Sequence, residues 1–200
     1  SATIVGIVEA VVKYGVPIVV DDGSIDSTGD LAMNSGAVVV AHKDNRGYDE
    51  ALNSGFNKAA ELGSEIIITL DADGQHDPLL IEQFVAEIDM GFDVVIGVRN
   101  KRQRFAEHFF AWYTGVRFGI NDPLCGMKAY KTSVYAKLGY FDSYGSVGTQ
   151  LMIFAAKRKY HISQVSFKVR ERADESRFGK IISANLKIIR AMLISICSVK

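Results

Sequence analysis

The sequence has little cysteine. Cys125 and Cys197 are the only two, at no metal-ligand spacing, which argues against a disulfide framework or a zinc site and suits a reducing compartment. It has no net charge either, because 23 Lys and Arg balance 23 Asp and Glu. No overall field recruits nucleic acid, so charge must act through local placement. No Gly-x-Gly-x-x-Gly follows a strand and no P-loop occurs, which speaks against a nicotinamide enzyme or a P-loop nucleotide site. The longest apolar stretch, Ile181 to Cys197, is interrupted by Lys187 and Arg190 and falls short of a membrane span. No secretory signal opens the chain, so the expected location is the cytoplasm or the cytoplasmic face of a membrane.

What is present is an ordinary folded composition, 48% hydrophobic and 23% charged over 200 residues, enough for one domain over residues 1–200. Short β-branched runs (Ile18–Val20, Val38–Val40, Ile66–Leu70, Val94–Val98) alternate with segments of helical period (Ser27–Ser35, Tyr48–Leu62, Leu79–Met90). The runs are continuously apolar, as in parallel strands covered on both faces. The fold expected is therefore α/β, an open, mostly parallel sheet with helices on both faces. Asp77-Pro78 reads as a helix start. Helices are further expected at Phe105–Phe118, Thr132–Leu138 and Gln150–Lys159, a strand at Val165–Val169, and an amphipathic helix over 180–198. Ile4, Ile7, Val8, Val11 and Val12 recur at helical spacing ahead of the first strand. An alternating α/β domain opens on a strand, so a leading strand is expected outside this numbering.

Two strand ends carry acids. Ile66–Leu70 runs into Asp71-Ala72-Asp73-Gly74-Gln75-His76, whose carboxylates at i and i+2 project to one side of the strand end. Ligands of open α/β sheets bind beyond the carboxyl ends of strands. Two carboxylates and an amide oxygen form a hard ligand set for Mg²⁺ or Mn²⁺. A strand-end turn held by Asp71 and Asp73 is the competing reading. Val19-Val20-Asp21-Asp22-Gly23-Ser24-Ile25-Asp26-Ser27 repeats the pattern. Asp21 and Asp22 there suit hydrogen bonds from a base N–H, whereas Asp26 or Ser27 suits a helix cap.

Asp21-Asp22-Gly23-Ser24-x-Asp26, Asn45-Arg46-Gly47-Tyr48 with Ala51-Leu52-Asn53-Ser54-Gly55-Phe56, Asp71-Ala72-Asp73-Gly74-Gln75-His76, Gly97-Val98-Arg99 and Asp122-Pro123-Leu124-Cys125-Gly126-Met127-Lys128-Ala129-Tyr130 follow one another in order. In this series the chain resembles glycosyltransferase family 2, and most its polyprenyl-phosphate sugar synthases of the dolichol-phosphate mannosyltransferase type. The resemblance implies a GT-A fold and a metal-dependent, inverting transfer from a UDP- or GDP-linked sugar. It implies nucleotide contacts at Asp21, Asp22 and Asp71, and metal and diphosphate contacts at Asp71, Asp73 and Gln75. Arg99 would lie near the substrate phosphates and Asp122 near the reacting centre, while Arg177 and Lys180 would lie on a late basic loop near an acceptor phosphate. Two departures stand out. The family's opening strand with a Pro-x-Tyr-Asn-Glu-like turn is not in this sequence, and no Glu occurs near Val147-Gly148-Thr149-Gln150-Leu151, where relatives often carry one.

An anionic acceptor needs cations rather than a general base. Arg99, Arg104, Arg177 and Lys180 supply them, with arginine forks suited to phosphate. A lipid phosphate is therefore the expected acceptor. The aromatic Phe105–Phe118 segment and the final basic amphipathic helix suit either peripheral membrane contact or packing on the sheet or in a homodimer. A transferase acting on a glycan hydroxyl, a nucleotidyltransferase and an inactive nucleotide-sugar-binding relative are the alternatives.

Overall fold

The computed structural model describes residues 3–102, 104–170 and 181–197. In chain order the elements are α1 (Ile4–Val11), β1 (Ile18–Asp22), α2 (Thr28–Asn34), β2 (Val38–His42), α3 (Tyr48–Glu61), β3 (Ile66–Thr69) and α4 (Leu80–Asp89). They continue with β4 (Val94–Arg99), α5 (Phe105–Phe118), β5 (Lys128–Lys131), α6 (Thr132–Leu138), α7 (Gln150–Lys157), β6 (Ile162–Phe167) and α8 (Ile181–Cys197). None of the described helices is long and apolar enough to cross a membrane.

The strands form two groups. β1 and β2 pair in parallel, from Ile18 opposite Val38 to Asp22 opposite His42. The other four lie in the order β3-β5-β4-β6. β5 is antiparallel to both its neighbours, and β4 and β6 are parallel from Val94–Ile162 to Arg99–Phe167. The α/β alternation expected from the sequence is thus present, with one antiparallel strand inside it. β5 was not anticipated, because Lys-Ala-Tyr-Lys is short and half charged. Its Lys128 is nevertheless buried, a placement set by strands far away in sequence. The last strand starts at Ile162 rather than Val165, since Ser163 and Gln164 join the ladder with β4. Asp77-Pro78 forms a turn just ahead of α4, Asp77 Oδ1 and its carbonyl accepting from the N–H groups of Leu79 and Leu80.

Helices cover both faces. On one, Phe56 of α3, Phe110 of α5, Leu151 and Ile153 of α7 and Ile188 of α8 pack on Ile67, Val94, Ile96 and Tyr130. Phe56 stacks on Phe141 at 4.6 Å and meets Tyr130 edge-on, and burying one such side chain stabilises by about 2–3 kcal/mol. On the other face Ile81, Phe84 and Ile88 of α4 cover Val95, Met127, Ala129 and Val165, with Val11 and Tyr14 alongside. A smaller cluster, Ile4, Val8, Ala32 and Ala37, joins α1 and α2 beneath Val19 and Val39. Gly97 in β4 is required by crowding. A Cβ there would lie 2.7 Å from Phe167, 2.8 Å from Cys125 Sγ and 2.9 Å from the Met127 carbonyl.

Candidate active site

β1 and β3 both end at the sheet edge from which Tyr48 opens α3. At the end of β3, Asp71 is about a third exposed, and its carboxylate sits directly over Gly126, where a Cβ would fall 2.2 Å from Oδ2. Only glycine leaves room for that carboxylate. The Asp71 N–H donates to His76 Nδ1 at 3.1 Å. Burial holds the His76 pKa below its ordinary value against the pull of Asp71 and Asp73, which fits a neutral ring accepting at Nδ1. Asp73 Oδ1 accepts from the Gln75 N–H at 3.0 Å, closing the turn in which Gly74 adopts φ +81°. Asp71, Asp73 and Gln75 are therefore gathered in one tight turn.

The end of β1 is built differently. Asp22 accepts from His42 Nδ1 at 2.6 Å, from the Arg46 N–H at 2.8 Å and from the Gly47 N–H at 2.8 Å. Burial works to raise its pKa, and the bonds from Arg46, His42 and Gly47 outweigh it and hold the carboxyl below the ordinary value. With Asp22 ionised, His42 Nδ1 carries a proton, and Nε2 meets Ser54 Oγ at 2.8 Å. Asp22, expected to face a nucleotide base, thus holds the 43–47 loop. Asp21 Oδ1 accepts from the Ser24 N–H. Asp26 caps the start of α2 through Thr28, as one of the two readings expected.

Arg99 at the end of β4 and Asp122 are partners. Arg99 Nε donates to Asp122 Oδ2 at 2.8 Å and Nη2 to Oδ1 at 2.9 Å, with the Arg99 N–H adding 3.1 Å to Oδ2. Burial opposes the guanidinium charge, but the Asp122 bonds prevail and raise its pKa. Glu107, buried at the start of α5, accepts from Arg99 Nη2 at 3.3 Å and from Arg104 Nη1 at 3.1 Å. The four groups form one alternating network of arginine and carboxylate. Arg177 and Lys180 lie outside the described residues.

Further residues complete the wall of the site, and the sequence reading did not single out their roles. Lys128 is fully buried, and its Nζ donates to the Gly148 carbonyl at 3.1 Å. The Gly148 N–H donates to Asp49 Oδ1 at 2.8 Å, so this peptide is gripped at both ends. Val147 beside it has φ +55°, a left-handed conformation costly for a β-branched residue. Asn53 Oδ1 accepts from the N–H groups of Phe141 and Asp142, and its Nδ2 donates to the Asp142 carbonyl. Asp142 in turn accepts from the N–H groups of Tyr144, Gly145 and Ser146. Gln150 Oε1 accepts from the Ser143 N–H at 2.7 Å, so this amide braces the loop. Asp49 and Asn53 stand four apart on one face of α3, a spacing that was the available signal.

The residues suit a hard divalent cation. Two carboxylates in one turn, one of them partly exposed and backed by Gly126, offer oxygen donors to an ion that keeps water and phosphate oxygens in its other positions. Among the described residues no cluster of three or more His, Cys, Asp or Glu side chains could hold a metal by itself. Two clefts lie away from this edge, about 340 Å³ between Lys137, Phe154, Arg158 and Tyr160, and about 240 Å³ between α5 and α8.

Comparison with known proteins decides the family, the profile of glycosyl transferase family 2 matching residues 17–139. The chain belongs to that family. Its enzyme class is accordingly glycosyltransferase, as the motif series implied. An uncharacterized protein of Methanocaldococcus jannaschii is 33% identical over 168 residues, 76% of this chain and 68% of that protein. The dolichyl-phosphate hexose transferase of Haloferax volcanii is 28% identical over 172 residues, covering 80% and 72%. The polyprenol monophosphomannose synthase of Mycolicibacterium smegmatis is 32% identical over 141 residues, 60% of this chain but only 52% of the relative. The family 2 chain also matches, over its whole length and 76% of the other, a structure of glucosyl-3-phosphoglycerate synthase from Mycobacterium tuberculosis solved with Mn²⁺, uridine diphosphate and glucosyl-3-phosphoglycerate. The TM-score is 0.78 at 23% identity. That likeness shows the fold, which is GT-A.

Proposed function

We propose that this chain transfers a sugar from a UDP- or GDP-linked donor to a polyprenyl phosphate, with Mg²⁺ or Mn²⁺ at Asp71, Asp73 and Gln75. The observation that carries the reading is the partly exposed Asp71 carboxylate seated on Gly126, beside Asp73 and at the carboxyl edge of the sheet. Relatives named for dolichyl-phosphate and polyprenol-phosphate products support the acceptor class, and a neighbour crystallised with Mn²⁺ and uridine diphosphate supports the metal and a nucleotide. When bound, the cation offsets negative charge on the donor diphosphate.

An acceptor phosphate oxygen attacks the anomeric carbon as the bond to the nucleoside diphosphate breaks, inverting that centre. The acceptor is already an anion, so no side chain has to remove a proton. Arg99 and Arg104 provide cationic donors, and Asp122 and Glu107 fix their forks. Arg177 and Lys180 are assigned to the acceptor phosphate on the motif alone. Asp21 takes the base contact in this reading, with Asp22 holding the loop beside it.

The lipid end of the acceptor suits α5 and α8. Phe105, Phe109, Trp112 and Val116 repeat at helical spacing along α5, all exposed, and Leu186, Ile189 and Leu193 of α8 are exposed as well. Lys101, Arg117, Lys187 and Arg190 are exposed around them. An aromatic stripe with a cationic border fits the interface of an anionic bilayer, and the network holding Arg99 and Arg104 adjoins the start of α5.

The test is transfer from UDP- and GDP-sugars to polyprenyl phosphate in mixed micelles, with Mn²⁺ or with chelator, together with thermal unfolding against each nucleotide. Metal-dependent transfer to the lipid phosphate is expected. Transfer only to a soluble glycan would overturn the acceptor, and no metal-dependent nucleotide shift would overturn the donor site. Sedimentation with anionic liposomes tests the helix face, and absence of binding there removes the membrane element alone.

A further inference from the structure

The first turn of α5 is not capped from within its own chain segment. The residue before it is Arg104, extended at φ −126° and ψ 147°, and its side chain makes no capping bond. A guanidinium cannot accept a hydrogen bond, so the first N–H groups of the helix need acceptors from elsewhere. The Glu107 N–H donates to the Arg104 carbonyl at 3.1 Å. The Ala106 N–H is met from α8, where Asn185 Oδ1 accepts it at 3.2 Å across 79 residues. Ala106 is the second residue of α5, and its N–H is one of the two that a cap side chain ordinarily takes. Asn185 thus does from another helix what a Ser, Thr, Asp or Asn does from the preceding residue.

The apolar face of α8 sets Asn185 there. Ile188, Ala191 and Met192 are buried, and Ile188 and Met192 share a core cluster with Ala106 and Phe110. Asn185, Ile188 and Met192 stand at i, i+3 and i+7, on one stripe of the helix. A polar group on such a stripe costs stability unless it is bonded, and the Ala106 N–H supplies a donor to its oxygen. Beside this bond the seam between the helices is open. Phe105, Ala106, Phe109, Ile189 and Met192 line a cleft of about 240 Å³, and Phe105 is 83% exposed. Apolar packing leaves room at the start of α5, so the directional hold falls to Asn185. Farther along α8, Arg190 Nη1 comes within 3.4 Å of where a Cβ on Gly145 would lie. The same helix thus also meets the loop that Asp142 organises.

The turn that Asn185 holds carries half of the arginine network. Arg104 stands just before it, and Glu107 within it accepts from Arg104 Nη1 at 3.1 Å and from Arg99 Nη2 at 3.3 Å. Ala106 lies between Arg104 and Glu107 in the chain. Arg99 has a separate hold on β4, because Asp122 accepts from its Nε and Nη2. For Arg104, the backbone and this carboxylate partner both belong to the start of α5. A shift of that turn by about 1 Å would carry such bonds beyond hydrogen-bonding distance. Misplacement on that scale is enough to slow a reaction about 100-fold.

We infer that Asn185 is a positioning residue for Arg104. By capping α5 from α8 it fixes the turn in which Glu107 holds the Arg104 guanidinium, and so sets where that fork meets an acceptor phosphate. The final step rests on the acceptor reading proposed above. In this role Asn185 need not touch substrate, since its oxygen acts through Ala106 and Glu107. The same bond makes α5 and α8, which carry the exposed aromatic and aliphatic stripes, one unit with the arginine network.

The experiment compares Asn185→Leu and Asn185→Asp with the parent chain. Leucine is close to asparagine in size and suits the apolar stripe, but offers no acceptor. Aspartate keeps the acceptor and suits a helix N-terminus. NMR of arginine-labelled protein follows guanidinium N–H exchange, with signals assigned through Arg99→Lys and Arg104→Lys. Transfer to polyprenyl phosphate in mixed micelles gives donor and acceptor KM separately. Asn185→Leu is expected to keep or raise Tm and to speed exchange at Arg104 about tenfold, while Arg99 Nε, held by Asp122, changes less than about twofold. Its acceptor KM should rise about tenfold with donor KM unchanged. Asn185→Asp is expected to restore both. Equal exchange at Arg104 in all three chains overturns the role, and so does a loss that Asn185→Asp fails to restore. An Asn185→Leu chain that does not fold, or one in which Arg99 Nε and donor KM change as much as Arg104 and acceptor KM, makes Asn185 merely structural and overturns it as well. Faster exchange at Arg104 without a change in acceptor KM, or no transfer to polyprenyl phosphate by the parent chain, keeps the hold of Asn185 on Arg104 under test by exchange and sinks the acceptor reading instead.

Discussion

The ends of β1 and β3 look alike in sequence and differ in use. Each is a β-branched run closing on acids and a glycine, Asp21-Asp22-Gly23 and Asp71-Ala72-Asp73-Gly74. At β1, Asp22 is tied to His42, Arg46 and Gly47, and the carboxylate organises protein. At β3, Asp71 rests on a glycine with part of its surface in solvent, and the carboxylate is available to a ligand. An acidic strand end is thus no assignment in itself. What distinguishes the two is whether the chain brings backbone donors to the carboxylate.

The widest separation should appear between Asp22→Ala and Asp73→Ala. The first leaves two backbone N–H groups and His42 without their acceptor, and a loss of about 3 kcal/mol in urea unfolding is expected. Asp73→Ala should change stability by less than about 1 kcal/mol yet lower transferase turnover about 100-fold, roughly 2.7 kcal/mol of barrier. Equal stability losses for both would erase the distinction.

Gly126→Ala tests the seat of Asp71 with a smaller effect. The added methyl must push the carboxylate aside, and metal-dependent nucleotide affinity is expected to weaken about tenfold, roughly 1.4 kcal/mol, with the fold retained. Calorimetric titration reads it. Unchanged affinity would show that the close packing of Asp71 on Gly126 has no functional weight.

The smallest effect is a pH dependence with two signs. Burial and the neighbouring Asp142 push the Asp49 carboxyl up to about 6. The folded state therefore holds more protons than the unfolded one between pH 4 and 6. Its contribution is full below about pH 4 and is lost as pH rises through 6, on the order of 1 kcal/mol after solvent screening. Asp22 has the opposite sign. Its depressed pKa contributes above the ordinary carboxylate value and is lost as pH falls through its own lower one. Stability measured from pH 7 to 3 should therefore rise and then fall. Asp49→Asn, which keeps the acceptor for the Gly148 N–H, should remove the rise and keep the fall.

Much of this protein was legible in residue order. Strand runs such as Val94–Val98 were plain because a strand buried on both faces is continuously apolar. Tyr48–Leu62 and Phe105–Phe118 were plain because their apolar residues repeat with the helical period. The motif series named the family, and the Asp71-Ala72-Asp73 turn on which the proposed site rests could be read from residue order, since a local turn suffices to bring those side chains together. β5 was hidden, because a four-residue strand with two lysines has no periodic signature and exists only through its pairing with β3 and β4.

By itself, then, the sequence determined what depends on neighbours within a few residues: the helices, the principal strands, the Asp71–Gln75 turn and the family. Tertiary structure alone decided that Asp22 braces a loop about 24 residues away, that Arg99 and Asp122 pair across 23, and that Lys128 is buried against Gly148. It also decided that β1 pairs with β2 and β3 with β5, in two separate groups of strands. Hydrogen bonds and strand edges are satisfied by whichever groups the folded chain brings within about 3 Å, and that distance is a property of the packed molecule rather than of the order of its residues.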